Sequence, residues 1–318
     1  MKKQIATLLA GMMLVGCGGT TTESTATPSA TPAAEEETVS VEGLNILAPT
    51  GAPGYALMPI VKEGNNEVTM VDGSDPLQAA FVNPSPEYDV IIAPTNLGAK
   101  LASAGKTTYK LAGIITTGNL YIVAEDEAVL EGDGNLALFG EGAVPGLVYN
   151  SLYPETSMNA TWYPSVAEAQ AALLSGNADA ALLADPAATA AIAKGSESGL
   201  SLKKVADLQA EWGENGYPQA GLFVEESTLE ENKAMYKSLM DEIISYADGV
   251  KDGTNDIAKD LEEVGAEQFG ATPAAMVSKA YAGMGINPYY ADEDTDNLAQ
   301  FLNLFGVTLG EDTVVSLQ

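Results

Sequence analysis

The chain has 318 residues, of which 44 are acidic and 14 basic, so its formal net charge is −30 at pH 7. A chain this acidic is not expected to bind nucleic acid or to hold an anionic lipid surface by charge. It contains no His and no Arg, and it has a single Cys. These absences argue against imidazole general bases, Cys–His zinc sites and guanidinium anion sites, whereas carboxylate, Lys and Tyr chemistry remains open.

The first seventeen residues have the pattern of an export signal. Lys2 and Lys3 precede an apolar run over residues 5–15, which is too short to span a bilayer. Residues 14–17 (LVGC) resemble the lipobox of bacterial lipoproteins, in which the signal is removed and the Cys receives lipid. We therefore predict a signal peptide over residues 1–16 and lipidation of Cys17; a plain secretory signal with an incidental Cys is the alternative.

Residues 17–40 are rich in Thr, Ser, Ala, Pro and Glu and offer little to bury. Such a composition predicts a disordered linker between the lipidated Cys17 and the folded body. No later run is apolar for about eighteen residues, so we expect no further membrane-spanning segment. These features together predict a protein that is lipid-anchored at the extracytoplasmic face of the cell membrane.

From residue 41 onward, apolar strand-like runs alternate with helical runs, which is typical of an α/β protein. The first predicted series consists of strands 44–48, 67–71 and 89–93, and of helices 55–62, 75–81 and 95–104. A β-rich run over residues 110–124 is interrupted at 116–119.

A second series then begins, with strands at 136–139, 160–163 and 178–184 and helices at 145–152, at 166–174 and after Asp185. Ser165 and Glu168 form a capping box for the second of these helices. A strand at 221–224 and helices at 230–247, 254–264, 273–283 and 295–305 complete the pattern.

The two series predict two Rossmann-like lobes joined by two chain crossings, near residues 117–123 and 217–224. We assign residues 41–120 and 222–318 to lobe 1, with the helical tail packing on it, and residues 121–221 to lobe 2. In open α/β sheets, ligands bind beyond the carboxyl ends of the strands, next to helix N-termini. Turns from both lobes are therefore expected to face one cleft that closes by hinge motion.

Four runs carry a family resemblance: residues 46–53, 88–97, 105–106 and 175–186. In this order they are similar to the periplasmic binding proteins of type 2 topology, and specifically to the group that serves sulfonate, taurine, nitrate and thiamine-pyrimidine uptake. The resemblance implies a solute-binding lipoprotein that delivers a small organic solute to the membrane permease of an ABC importer. We expect a monomer with no cofactor, no metal and no nucleic-acid partner.

The cleft prediction and the resemblance together name the candidate site. The predicted ligand-binding residues are Thr50, Gly51, Ala52, Pro53, Tyr55, Thr95, Asn96, Asn119, Gly142, Ala143, Val144, Tyr163 and Asp185. Small residues would let backbone amides approach the ligand, and the aromatic rings, with Trp162, would cover its flat faces. Each could instead be an ordinary turn, cap or core residue.

An acidic Asp185 at the cleft favours a neutral, zwitterionic or cationic solute over a simple anion. Replacing Asn96 or Asp185 by Ala is then expected to weaken binding without unfolding the protein.

Two other functions stay open. A sensory or adhesion lipoprotein would have the same fold, whereas an enzyme is disfavoured because no paired-acid motif is present. The family's pyrimidine-forming branch consumes its own histidine, which this chain lacks. The acidic run 292–296 resembles the start of an EF-hand loop, but residues 297 and 303 lack the required Gly and Glu. We interpret that run as an acidic helix start.

Overall fold

The structure is a computed structural model that describes residues 39–318. The predicted signal peptide, Cys17 and nearly all of the 17–40 linker lie outside the described residues. Within residues 39–318, no helix combines the length and the apolar character needed to cross a membrane.

Short strands and helices alternate along most of the chain, as predicted. The strands are β1 (Asn45–Pro49), β2 (Glu67–Val71), β3 (Val90–Pro94), β4 (Tyr109–Thr116), β5 (Leu120–Ala124), β6 (Asn135–Phe139), β7 (Asn159–Tyr163), β8 (Ala180–Ala184), β9 (Lys203–Asp207), β10 (Ala220–Glu225) and β11 (Ile286–Tyr290). The helices are α1 (Ala52–Ala56), α2 (Met58–Glu63), α3 (Asp75–Phe81), α4 (Thr95–Ser103), α5 (Val144–Leu152), α6 (Val166–Leu174), α7 (Ala187–Glu197), α8 (Leu208–Trp212), α9 (Glu226–Asp252), α10 (Ile257–Val264), α11 (Ala274–Ala280) and α12 (Thr295–Asn303).

These strands form two mixed sheets. A six-stranded sheet has the order β11-β4-β10-β3-β1-β2, with β1 parallel to both β2 and β3 and β10 antiparallel to β3 and β4. A five-stranded sheet has the order β7-β6-β8-β5-β9, with β6 parallel to β7 and β8. We call the first sheet with its helices lobe 1 and the second sheet with its helices lobe 2. The two-lobed α/β fold class is thus confirmed.

The core follows the alternation of the strands. In β1, Ile46 and Ala48 face one apolar cluster, and Leu47 faces another on the opposite side of the sheet. The long helix α9 buries Leu239, Ile243 and their neighbours against the first of these faces. Each such side chain contributes about 1.5–3 kcal/mol when it is removed from water. The C-terminal tail therefore packs on lobe 1, as expected.

The lobes are joined by two chain segments, one between β4 and β5 and one between α8 and β10. The two segments are hydrogen-bonded to each other: Tyr217 N donates to Thr117 O at 3.2 Å, and Gln219 N donates to Thr116 O at 2.9 Å. The tail joins them, because Thr117 N donates to Gly285 O at 2.8 Å. The three segments form a hydrogen-bonded bridge between the two sheets.

The structure differs from the predicted elements in several places. Strands β9 and β11 were not predicted; both are edge strands, β9 is largely charged, and β11 contains Pro288. Proline is tolerated at a sheet edge because its missing N–H is not needed there. The helix predicted over residues 55–62 is two helices, α1 and α2. They are separated at Leu57, and each has a Pro at its start.

Candidate functional site

A cavity of about 290 Å³ lies where the carboxyl ends of β1, β3 and β8 meet the two connecting segments. Its lining comes from both lobes and from both connections. The lining residues are Pro49, Thr50, Gly51, Ala52, Pro53, Pro94, Thr116, Asn119, Val144, Asp185, Pro186, Gln219 and Ala220. The cavity therefore lies beyond the carboxyl ends of the strands, where ligands are expected to bind in α/β sheets.

The cavity collects part of the predicted set. Residues from both lobes that were predicted to bind ligand and that line the cavity are Thr50, Gly51, Ala52, Pro53, Asn119, Val144 and Asp185. The other predicted residues lie outside its lining: Tyr55, Thr95, Asn96, Gly142, Ala143 and Tyr163.

The aromatic side chains do not cover the cavity. Tyr55 is 1% exposed, and its ring stacks on Phe269 with 5.5 Å between the centroids. Trp162 and Tyr163 pack partly buried against two apolar clusters that include the sheet of lobe 2. Each of these rings packs against apolar side chains, and a ring that covers a ligand has the same apolar character, so a sequence pattern alone cannot separate the two roles. Gly142 and Ala143 are exposed in the loop before α5.

Thr95 and Asn96 begin α4 directly after the cavity residue Pro94. The Thr95 side chain is fully buried, and within residues 39–318 its hydroxyl has no hydrogen-bond partner. The Asn96 side-chain oxygen is likewise buried and unpaired within that range. Such atoms are rare in folded proteins, because leaving a buried polar group unpaired costs about 1–3 kcal/mol.

Asp185 is almost completely buried and fully partnered. Its Oδ1 accepts hydrogen bonds from the Thr189 backbone N at 2.9 Å and from Thr189 Oγ1 at 2.8 Å. Its Oδ2 pairs with Lys204 Nζ. A carboxylate out of water is tolerable when it is paired and hydrogen-bonded in this way. Asp185 therefore does not present a free charge to the cavity, which weakens the argument that it selects a cationic solute.

The ion pair extends to Tyr121 and to lobe 1. Lys204 Nζ lies 3.5 Å from the centroid of the Tyr121 ring, a cation–π contact. The Tyr121 hydroxyl donates to the Gly283 carbonyl of lobe 1 at 3.0 Å. Burial raises the pKa of Tyr121, and the neighbouring Asp207 and Asp185 raise it further. The phenol is therefore neutral and remains a hydrogen-bond donor at ordinary pH.

The two connecting segments place two neutral amides at the cavity. Asn119 Nδ2 donates to the Asp185 carbonyl at 2.9 Å, and Asp185 N donates to the Asn119 carbonyl at 2.9 Å. Gln219, from the second connection, also lines the cavity but was not predicted. The sequence did contain a signal for Gln219. It lies within the chain crossing predicted at residues 217–224, and the crossings are expected to border the cleft between the lobes.

Comparison by sequence finds no protein-family model and no curated protein that matches this chain. Solved structures do match. An ABC transporter protein from Parabacteroides distasonis is 21% identical and superposes with a TM-score of 0.68, covering 88% of this chain and 100% of its own.

Two sulfonate-binding proteins match over a similar range. The periplasmic aliphatic sulphonate-binding protein SsuA from Escherichia coli is 17% identical with a TM-score of 0.62, covering 87% of this chain and 92% of its own. The alkanesulfonate-binding protein SsuA from Xanthomonas axonopodis pv. citri, solved with MOPS, is 17% identical with a TM-score of 0.55, covering 87% and 100%. The chain has the fold of these binding proteins.

Further contacts join the two lobes away from the cavity. Trp212 Nε1 donates to Asn297 Oδ1 at 2.8 Å, and Asn297 Nδ2 donates to the Gly216 carbonyl at 2.8 Å. The Tyr217 ring stacks on Phe301 with 5.8 Å between the centroids. Lobe 2 is thus held against helix α12 by polar and aromatic contacts.

The acidic run 292–296 begins helix α12. The Asp294 side chain accepts from the Asn297 backbone N at 3.4 Å, which makes it the N-cap of that helix. Across the described part of the chain, His, Cys, Asp and Glu side chains form no group of three or more that could hold a metal ion.

Proposed function

We propose that the protein is an extracytoplasmic solute-binding lipoprotein that takes up a small organic solute in the cavity between its lobes and delivers it to the permease of an ABC-type importer. In this role Cys17 carries the lipid anchor, and the protein acts as a monomer that binds its solute without changing it.

The observation that carries the proposal is the composition of the cavity wall. Thr50 to Pro53 come from lobe 1, Val144 and Asp185 come from lobe 2, and Asn119 comes from a connecting segment. A site divided between two lobes gains contacts when the lobes come together, so binding and closure favour each other. Such coupling suits a protein that must present loaded and empty forms to a partner.

Two further features support a ligand at this place. The unpaired oxygens of Thr95 and Asn96 belong to the two residues that follow the cavity residue Pro94, and a polar group of the solute would satisfy them if the cavity extends to the start of α4 on binding. The fold, which an ABC transporter protein and two sulfonate-binding proteins also have, agrees with this role. The absence of His removes the usual general base for catalysis near neutral pH.

The test is the identification of compounds that leave the purified protein on denaturation, followed by rebinding measured by calorimetry. We expect one solute in a 1:1 ratio, recovered unchanged after incubation. Val144→Trp, which fills the cavity, should lose the solute. Val82→Trp, at a side chain that is 45% exposed, should retain it. A wild-type protein that releases nothing and binds nothing, or a Val144→Trp variant that binds normally, would contradict the proposal.

The lipid anchor is tested separately. Cells expressing the full chain should incorporate labelled palmitate into the protein and retain it in the membrane fraction. Cys17→Ala should remove the label and release the protein from that fraction. Unchanged labelling of Cys17→Ala would exclude Cys17 as the site of lipid attachment, and a wild-type protein without label would exclude the anchor; neither result bears on solute binding.

A further inference from the structure

The charges and the backbone donors around the cavity narrow the class of solute. We infer that the cavity binds a small uncharged solute with an apolar body and adjoining hydrogen-bond donor and acceptor groups, such as a carboxamide or a neutral nitrogen heterocycle. This inference rests on the proposed function, because it concerns the same cavity.

The cavity offers no free charge. Of the described residues that line it, Asp185 alone is ionisable, and Lys204 and Thr189 already occupy its oxygens. A second carboxylate, that of Asp72, accepts a hydrogen bond from the Thr50 hydroxyl at 2.7 Å. A cationic solute would have to compete with Lys204 for Asp185. An anionic solute would find no free cation among the described lining residues, because Lys204 is already paired with Asp185.

Helix N-termini usually attract anions through their free N–H groups, but proline removes or displaces many of those groups here. Pro53 and Pro145 lie in the first turns of α1 and α5, and neither has an N–H. Pro94 and Pro186 are the N-cap residues of α4 and α7. Four prolines line the cavity itself, at positions 49, 53, 94 and 186.

Several of the remaining N–H groups are already used within the protein. Thr95 N donates to the Gln219 carbonyl at 3.0 Å, and Gly146 N donates to the Gly140 carbonyl at 3.0 Å. Thr189 N donates to Asp185. Together with the prolines, these bonds reduce the number of free N–H groups that the helix starts around the cavity can offer to a sulfonate, nitrate or carboxylate group.

What the wall does offer is neutral. Asn119 and Gln219 contribute neutral amides. Asn119 Nδ2 already donates to the Asp185 carbonyl and Gln219 Nε2 lies 3.5 Å from Asn119 Oδ1, so each amide keeps part of its donor and acceptor capacity for a solute. The Thr50 hydroxyl donates to Asp72 and can still accept, and Thr116 adds a second hydroxyl. The prolines, Ala52, Val144 and Ala220 supply apolar surface. At about 290 Å³, the cavity is at the small end of the roughly 300–1,000 Å³ range of ligand pockets. These features match a compact polar molecule without net charge.

The test uses sets of probes that share a shape and differ in charge. Benzamide, benzoate and benzamidine form one set; acetamide, acetate and acetamidine form a second; ethanesulfonamide and ethanesulfonate form a third. Each is titrated into the full-length protein, stripped of its own solute, by calorimetry and thermal unfolding. We expect the neutral member of a set to bind at least about tenfold more tightly than its charged partners, a difference of about 1.4 kcal/mol.

A charged variant provides the matched control. Gln219→Lys adds a cation to the cavity and should lose affinity for the neutral probes while gaining affinity for benzoate or ethanesulfonate. Gln78→Lys, on the exposed face of α3, adds the same charge elsewhere and should behave as the wild type.

The outcomes separate this inference from the proposed function. If a charged probe binds as tightly as its neutral partner, or if the solute released from the wild type carries a net charge, the uncharged class is wrong but the binding function stands. If an uncharged solute is released, the inference is supported even where none of the probes binds. If the protein releases nothing and binds nothing, the binding function itself is wrong.

Discussion

Asp185 and Lys204 form an ion pair in which the carboxylate side chain is fully buried while the lysine keeps 29% of its side-chain surface exposed. The pair lies at the contact between the lobes, because Tyr121, over whose ring Lys204 sits, donates to the Gly283 carbonyl of lobe 1. Removing the lysine and removing the aspartate should therefore have different effects on the free energy of unfolding.

Lys204→Met should destabilise the protein more than Asp185→Asn. The lysine variant leaves a buried carboxylate without its cation, which costs up to about 3–5 kcal/mol for a fully buried pair. In the aspartate variant, Lys204 can turn toward water, so the loss should be nearer to about 1–2 kcal/mol. Urea unfolding of the two single variants and the double variant measures the coupling. Equal losses, or losses that add without coupling, would contradict the described pair.

The buried ion pair also changes an expectation drawn from the sequence. Asp185→Ala was expected to weaken binding and leave the fold intact. Because Asp185 is buried and bonded to both Lys204 and Thr189, we now expect its removal to lower the free energy of unfolding as well.

Asn119→Ala should weaken solute binding with a modest loss of stability. The substitution removes the bond to the Asp185 carbonyl, worth about 1 kcal/mol, and one of the two amides at the cavity. We expect about tenfold weaker binding of the released solute, measured by calorimetry. Asn159→Ala is the matched control, since it loses a comparable bond to the Asp133 carbonyl in lobe 2 but lies outside the cavity lining. If both variants bind equally well, Asn119 does not contact the solute.

Gly285→Ala should disturb the contact between the tail and the first connection. Gly285 has φ +65°, and a Cβ there would overlap the backbone of Gly118. Gly253 also has positive φ, at +82°, but a Cβ there would meet nothing within 4 Å. Gly253→Ala should therefore cost about 1 kcal/mol for conformation alone, whereas Gly285→Ala should cost clearly more. Thermal unfolding compares the two, and equal melting temperatures would contradict the close approach.

Asp260 should make the protein lose stability in acid. Burial alone would raise the pKa of Asp260, but hydrogen bonds from Lys62 at 2.5 Å and Tyr246 at 2.6 Å, with the charge of Lys62, hold it below its ordinary value. A depressed carboxyl pKa stabilises the folded state above the unfolded pKa of about 3.9, and that stability is lost as the pH falls through the folded value.

Asp260→Asn should accordingly lower the free energy of unfolding at pH 7 and reduce its dependence on pH below about 4. Asp133→Asn, in an exposed loop of lobe 2, serves as the control. Urea unfolding at a series of pH values makes the comparison; a wild type and an Asp260→Asn variant with parallel acid profiles would exclude the proposed role.

Some elements could be predicted because their own residues carry the pattern. β2, α3 and α6 lie where the sequence predicted them, since apolar spacing and the Ser165 cap fix both ends. The edge strands β9 and β11 could not be predicted, because three charged residues in β9 and Pro288 in β11 interrupt the apolar pattern. The edge strands β2 and β7 have at most one charged residue and no proline, and both were predicted.

Some residues at the cavity could likewise be predicted from the sequence, and others could not. The turns after β1 and β8 were found because the strand-end rule depends on local pattern and topology alone. The partner of Asp185 was not found, because Lys204 is nineteen residues away on the unpredicted strand β9. Tyr55 could not be assigned from sequence, since its burial against Phe269 depends on a segment more than two hundred residues later.

Through the hydrogen bond from Thr117 N to Gly285 O, the C-terminal tail contributes a third backbone segment to the bridge between the two sheets. Any rotation of one sheet relative to the other must bend that segment together with the two covalent links. Ending the chain before residue 285 would therefore lower the torsional stiffness between the halves as well as remove packing from the larger sheet. Loss of the tail would broaden the range of angles that the halves adopt.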